Sequence, residues 1–123
     1  MNFTWQKTTD SEKQLLGVIR ILVGDDPRLL QFLFDPIQPR LRRRAGILKE
    51  DSWNFSHGEQ GIIRAALDIW SGSGHLLLWE MLETWDHVNW IRFLNALIAL
   101  KGFSGQVAES SPSRRLVRRD SLS

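Results

Sequence analysis

The stretch that decides the fold runs from Ser56 to Trp70 and has the sequence SHGEQGIIRAALDIW. Its first four residues have the spacing of a capping box, in which Ser56 and Glu59 each accept a hydrogen bond from a backbone N–H group at the start of a helix. Apolar residues then recur three and four positions apart on one helical face: Ile62, Ile63, Ala66, Leu67 and Trp70. The Ser-Gly-Ser-Gly run at 71–74 ends the pattern. The stretch therefore predicts an amphipathic helix with a defined beginning and end.

Similar signals predict two helices on the N-terminal side of this stretch. Residues 9–12 have the spacing of a second capping box, and the apolar residues behind it predict a helix over about 10–23. Pro27 stands at the first position of the next helix, directly after two aspartates that are candidate caps. Asp35-Pro36 ends that helix, because a residue that precedes proline disfavours the helical conformation.

Two more helices are predicted on the C-terminal side. The first is short; Trp79 lies one position off its apolar stripe, at the edge of the buried face, and the stripe itself consists of Leu78, Met81, Leu82 and Trp85. Asp86 caps the second helix, predicted over 87–101, which has a broad apolar face of Trp90, Ile91, Leu94, Leu97 and Ile98 before Lys101-Gly102. We expect the tryptophans at 70, 85 and 90 in the core.

The segments between and after the helices are basic. In the connector 36–55, Arg40–Arg44 predicts at most a single helical turn closed by Gly46, followed by an irregular stretch through Trp53. Residues 104–123 are rich in serine and arginine and have few apolar anchors, which predicts a disordered tail.

These patterns together predict an all-α fold, a compact bundle of about five short helices with a disordered basic C-terminal tail. A chain of 123 residues with 42% hydrophobic residues can build one core, so we expect a single domain over 1–103. Within it we distinguish an N-terminal helical pair at 1–35, the basic connector, and an acidic, tryptophan-rich three-helix unit at 56–102.

The composition excludes several classes of protein. Cysteine is absent, which excludes disulfides, thiolate zinc sites, iron–sulfur clusters and cysteine nucleophiles. The first residues are polar where a signal peptide is apolar, and no apolar run reaches the roughly 18 residues of a membrane span. We therefore expect a cytoplasmic protein with no membrane span.

The charges are segregated along the chain, which bears on the choice of partner. The net charge is +2, yet residues 40–49 carry five basic and no acidic residues, whereas residues 50–101 carry three basic and seven acidic residues. Because arginine binds phosphate and carboxylate alike, the basic segments are candidate electrostatic contacts, with a purely solvated charge run as the alternative. The residues concerned are Arg40, Arg42, Arg43, Arg44, Arg114, Arg115, Arg118 and Arg119.

The six tryptophans exceed ordinary usage, and tryptophan is enriched where proteins bind one another. Trp5, Trp53 and Trp79 fall outside the clearest apolar stripes. An exposed tryptophan beside acidic groups favours a protein partner, whereas stacking on nucleic-acid bases favours basic neighbours. The predicted partner-binding residues are Trp53, Trp79, Glu80, Glu83 and Asp86.

The segment Phe55–Gln60, running into the helix that follows, resembles the signature segment of ABC-type and SMC-like ATPases. The resemblance implies that the Ser56 hydroxyl and backbone N–H groups of the helix N-terminus face the terminal phosphate of a nucleotide. The phosphate loop of those families, GxxxxGK[ST], is absent here. A capping box explains the same residues, and we expect that structural role.

Residues 76–102 are similar in rhythm to a winged-type helix-turn-helix, which implies that the last helix reads DNA. The charges oppose this interpretation, because the two helices carry only Arg92 and Lys101 against three acidic residues. No pair of strands follows to build the wing. A helical pair that serves packing is the expected alternative.

Catalytic patterns are sparse. The three histidines, His57, His75 and His87, do not form a metal motif, and only Glu83 and His87 have the spacing of ligands on one helical face. Serine does not occur in a nucleophile elbow. We expect no enzyme activity, no cofactor and no metal.

The leading hypothesis is a small non-enzymatic regulatory or accessory protein that acts by binding another protein. The alternative is a nucleic-acid-binding regulator, in which the C-terminal helical unit enters a groove and the arginine-rich connector contacts the phosphate backbone.

Overall fold

The computed structural model describes residues 4–5 and 7–102, and the regular secondary structure in this part is helical. It comprises a 3₁₀ turn, Ser52–Asn54, and the α-helices α1 Asp10–Val23, α2 Pro27–Leu33, α3 Ala45–Asp51, α4 His57–Ser71, α5 Leu78–Thr84 and α6 His87–Lys101. The predicted all-α fold is confirmed. The tail at 104–123 lies outside the described residues.

The caps account for the helix ends that the sequence predicts. The Ser56 hydroxyl accepts the Glu59 N–H at 3.2 Å while the Glu59 carboxylate accepts the Ser56 N–H at 3.2 Å, and the Thr9 capping box has the same arrangement. Gly24 and Gly72 follow α1 and α4 in the left-handed conformation, with φ of 63° and 69°, which glycine adopts without a steric penalty. The predicted bounds of α1, α4 and α6 are confirmed.

The core is formed mainly where α1 contacts α6 and α4, and α2 lies beside α1. The largest fully buried side chains come from α1, α2 with the residue that follows it, α3 and α4: Ile19, Leu22, Leu30, Leu33, Phe34, Leu48, Ile63 and Leu67. Trp85 is buried, while Trp70 and Trp90 are half-buried and pack against the core, as predicted. Within the described ranges, no helix is long and apolar enough to cross a bilayer.

Trp5 belongs to the core edge, although no helical pattern includes it. Its ring packs edge-on against Phe34 and Trp70, with centroids 5.6 Å and 6.0 Å away. The indole N–H donates to the carbonyl oxygen of Asp35 at 2.6 Å. The segment before α1 is thereby attached to the loop after α2.

The prediction for the connector is wrong in two respects. Arg40–Arg44 is not helical; its chain folds back along the end of α2, and the Arg42 N–H donates to the Leu33 carbonyl oxygen at 2.8 Å. The stretch predicted as irregular contains α3, and Gly46 lies inside this helix rather than closing a turn before it. The sequence signal is weak because Arg44, the N-cap, makes no side-chain capping bond and only Leu48 of the helix is fully buried.

Candidate protein-binding surface

The orientation of α5 is set at its C-terminal end by Trp85. The Trp85 indole N–H donates to the carbonyl oxygen of Gly58 on α4 at 3.0 Å, and a Cβ atom placed on Gly61 would lie 2.6 Å from the same indole nitrogen. Gly58 and Gly61 are three residues apart and therefore share a face of α4, where the absence of side chains admits the ring. Met81 and Trp85, one turn apart, are 4% and 6% exposed, so this side of α5 is fixed against α4.

The N-terminal end of α5 is positioned by the loop that follows α4. The Asp68 carboxylate accepts three backbone N–H groups of this loop, from Gly74 at 2.8 Å, His75 at 3.1 Å and Leu76 at 3.0 Å. Gly74 is buried directly against the α4 backbone, where a Cβ atom would collide with the Arg64 carbonyl oxygen. Both ends of α5 are therefore held by α4.

This orientation leaves the other apolar side chains of α5 exposed. Leu78 is 62% exposed, Trp79 59% and Leu82 66%. The prediction that Leu78 and Leu82 belong to the buried stripe is wrong. In a helix, the direction midway between positions 78 and 82 lies about 60° around the axis from the direction midway between positions 81 and 85. A helix of seven residues that contacts only α4 closely buries the second pair and not the first.

Acidic residues border the exposed apolar side chains. Glu80 is half-buried, whereas Glu83 and Asp86 are exposed. Asp86 caps α6, and its carboxylate accepts the Asn89 N–H at 2.9 Å, as predicted. Within the described part of the chain, no salt bridge involves any of the three. We call the six residues the α5 surface: Leu78, Trp79, Glu80, Leu82, Glu83 and Asp86.

A cleft of about 310 Å³ separates α5 from α4 beside this surface. Trp79, Glu80 and Glu83 line its α5 wall. His57, Gln60 and Arg64 line its α4 wall. The cleft thus combines an aromatic ring and two carboxylates with one arginine, so its acidic groups outnumber its basic one and it suits a cationic side chain.

Trp53 is the most exposed large apolar residue among those described, at 78%, and lies on the 3₁₀ turn. Its side chain does not line the cleft. The Gln60 side chain, which does, donates to the carbonyl oxygens of Phe55 at 2.9 Å and Trp53 at 3.4 Å. The Trp53 backbone therefore contacts a residue of the cleft wall. Trp53 itself lies on the 3₁₀ turn and is not part of the α5 surface.

The connector arginines Arg40, Arg42, Arg43 and Arg44 line a shallow groove of about 410 Å³ together with Leu41, Trp70 and Ser71. Three of them have partners within the protein. Arg40 lies 3.7 Å from the Asp35 carboxylate, Arg42 donates to the Gln31 carbonyl oxygen at 2.6 Å, and Arg43 donates to the Asp51 carboxylate at 2.9 Å. The tail arginines Arg114, Arg115, Arg118 and Arg119 lie outside the described residues.

Ser56 and Glu59 have a structural environment. Besides the capping box, the Glu59 carboxylate pairs with Arg28 of α2, and this hydrogen bond raises the pKa of the arginine. Neither Ser56 nor Glu59 lines the cleft. Over residues 4–5 and 7–102, no three His, Asp or Glu side chains gather as metal ligands would.

The chain was compared with protein-family models, with curated proteins and with solved structures, and none of the three comparisons gives a match.

Proposed function

We propose that this protein is a small non-enzymatic regulatory or accessory protein, and that it binds another protein through the α5 surface. The observation that carries the proposal is the exposure of Leu78, Trp79 and Leu82 side by side on one short helix. Contiguous exposed apolar residues with a polar rim are characteristic of protein-binding surfaces, and tryptophan is among the residues that contribute most to binding energy.

The rigid attachment of α5 supports this role. Trp85 and Asp68 fix the two ends of the helix, so that little conformational freedom is lost when a partner binds. The bordering carboxylates of Glu80 and Glu83 make the surface unfavourable for a polyanion and favourable for a basic partner.

The exposed side of α6 also favours a protein over a nucleic acid. Its exposed residues are His87, Leu94 and Lys101, spaced seven apart along one side of the helix. A helix that reads DNA needs polar and basic side chains along the side that enters the groove. Here the middle position is a leucine, and α6 packs closely against α1.

The proposal is tested by photocrosslinking in the host with a benzophenone amino acid at position 82. Position 37 is the matched control, because Ile37 is also exposed, at 55%, but lies on the loop after α2. We expect a protein adduct at position 82 that is absent at position 37. Recovery of nucleic acid alone, or equal adducts at both positions, overturns the proposal. Fractionation of the same cells tests the predicted cytoplasmic location.

The crosslinked protein, once identified by mass spectrometry and purified, is then titrated with the full chain. Loss of a well-packed leucine at an interface costs at least about 1.4 kcal/mol, so L82D is expected to weaken binding about tenfold or more. I37D is expected to bind within about twofold of the wild type. Equal affinities for L82D and the wild type would remove the α5 surface from the interface.

A second candidate function rests on the arginine groove, since the structure brings Arg40, Arg42, Arg43 and Arg44 to one surface beside Trp70. Such a groove suits a nucleic-acid backbone, and binding would weaken steeply with salt. The variant R42A/R43A/R44A, checked for folding by circular dichroism, separates the two candidates. Each phosphate contact that is lost reduces the slope of log affinity against log salt by about one. Unchanged binding by the variant excludes the groove.

A further inference from the structure

The α5 surface combines exposed apolar side chains with carboxylates that form no salt bridge within the described residues. Elsewhere, five acidic residues form salt bridges: Asp25, Asp26, Asp35, Asp51 and Glu59. Glu80 and Glu83 form none within the described residues, although they stand beside exposed Leu78, Trp79 and Leu82. The surface therefore offers apolar contact and uncompensated negative charge together.

The chain itself contains a segment with the complementary pattern. Residues 114–119 have the sequence RRLVRR, in which Leu116 and Val117 stand between two pairs of arginines. We propose that this segment binds the α5 surface of its own molecule, with Leu116 and Val117 on the apolar side chains and the arginines facing Glu80 and Glu83. The inference rests on the proposed function, because it assumes that the α5 surface is a binding surface.

The chemistry of the cleft beside α5 supports this occupant. A guanidinium is attracted to the face of an indole ring and forms charge-assisted hydrogen bonds with carboxylates. Trp79, Glu80 and Glu83 provide both on one wall, and the two carboxylates outnumber the single arginine of the cleft, Arg64, on the opposite wall. The arginine groove, a second concave surface among the described residues, carries four arginines and repels the same segment.

The connection is long enough for the contact within one molecule. The segment follows α6, whose fifteen residues span about 22 Å, and α5 adjoins the opposite end of that helix at Asp86. The eleven residues 103–113 can extend up to about 36 Å. A short tether of this kind gives an effective concentration in the millimolar range, which favours the contact in the same molecule over one between molecules.

The bound segment would compete with the external partner. A partner must then displace 114–119 before it reaches Leu78 and Leu82. The apparent affinity of the full chain for the partner is therefore the intrinsic affinity multiplied by the fraction of molecules whose α5 surface is free. Replacing the four arginines with serine is expected to tighten partner binding and leave the fold of 4–102 unchanged. Weaker partner binding by this variant would contradict the competition.

The contact is tested directly by paramagnetic relaxation in the full chain. The protein contains no cysteine, so S121C provides one labelling position for a nitroxide. In ¹⁵N-labelled protein we expect the nitroxide to broaden the backbone amide signals of α5 and the indole N–H signal of Trp79. The Trp79 indole signal is assigned as the one that is missing from the spectrum of W79F. The Trp5 indole, bonded to Asp35, is the internal reference and should be unaffected. The broadening should weaken between 0.1 M and 1 M salt, as the screening length falls from about 10 Å to about 3 Å.

Two controls make the result decisive. The first control mixes ¹⁵N protein that carries no nitroxide with ¹⁴N protein that carries one, and we expect no broadening of the α5 signals. Broadening in the mixture as strong as in the doubly labelled protein means contact between molecules and overturns the proposal. The variant E80Q/E83Q should lose the broadening, whereas E50Q, which changes an exposed glutamate on α3, should keep it. Absence of broadening with a protein adduct at position 82 refutes this inference alone. Broadening in the wild type, together with the absence of an adduct at position 82 even when the four tail arginines are replaced with serine, refutes the partner proposal alone.

Discussion

Gly74→Ala tests how the protein holds the N-terminal end of α5. An added Cβ atom would collide with the Arg64 carbonyl oxygen and lie 2.8 Å from the carbonyl carbon and 2.9 Å from the Asp68 nitrogen. All three are backbone atoms of α4, so no flexible side chain can move aside. The loop must instead lift from α4 and release its three hydrogen bonds to the Asp68 carboxylate.

Hydrogen bonds to a charged group contribute about 1.5–3 kcal/mol each, and water replaces part of that when the loop opens. We therefore expect G74A to lower the free energy of unfolding by about 3 kcal/mol, which corresponds to about 15 °C in Tm for a domain of this size. Urea titration followed by circular dichroism measures the loss, provided that the m-value is unchanged.

Gly17→Ala is the matched control for this substitution. Gly17 is exposed within α1, and an added Cβ atom has nothing within 4 Å. G17A is expected to raise the free energy of unfolding by about 0.5–1 kcal/mol, because alanine favours the helix. A G74A protein within about 0.5 kcal/mol of the wild type would show that the loop does not depend on this close approach.

Three further substitutions probe the cap, the indole contact and the pH dependence. Ser56→Ala removes the hydroxyl that accepts the Glu59 N–H, and thermal unfolding should show a loss of about 1 kcal/mol. Gly61→Ala displaces the Trp85 ring and its hydrogen bond to α4, which should cost about 2–3 kcal/mol and shift the assigned Trp85 indole N–H signal in NMR spectra; an unshifted signal contradicts the contact. Backbone N–H groups of Gln38 and Ile37 lower the pKa of Asp35, so its stabilising effect is complete above about pH 4 and is lost as the pH falls through the lowered value. D35N should therefore be less stable than the wild type at pH 7, and urea titrations should show the difference shrinking below pH 4; a constant difference would refute this.

Helices with side-chain caps were predictable from the sequence, and those without were not placed as well. α1, α4 and α6 begin with Thr9, Ser56 and Asp86, whose side chains accept backbone N–H groups, and their predicted bounds match the structure. α3 has neither a side-chain cap nor a full apolar stripe, and its seven residues contain a glycine. Its stability comes from burying Leu48 against the other elements, which is a tertiary effect that local patterns do not encode.

The candidate site was only partly predictable for a related reason. The sequence indicated that Trp79 lies at the edge of the buried face, and the structure shows it more than half exposed. It did not indicate that Leu78 and Leu82 are exposed, because helical periodicity identifies an apolar stripe but not its partner. The missing information was the rotation of α5, which depends on how Trp85 packs on Gly58 and Gly61, 24 to 27 positions earlier in the chain.

The contacts that orient α5 explain why its exposed leucines do not contribute to the core. Met81 and Trp85 account for the burial of this helix, and rotating it to bury Leu78 and Leu82 would withdraw the Trp85 indole from its bond to Gly58. Rotating α5 to bury Leu78 and Leu82 would therefore not stabilise the fold. An exposed leucine far from the core contributes little to the free energy of unfolding, and polar residues at 78 and 82 would serve stability and solubility equally well. Apolar side chains on a helix held at both ends, beside carboxylates without an ion-pair partner in the described part of the chain, are therefore the basis of our proposal that the partner is apolar and basic.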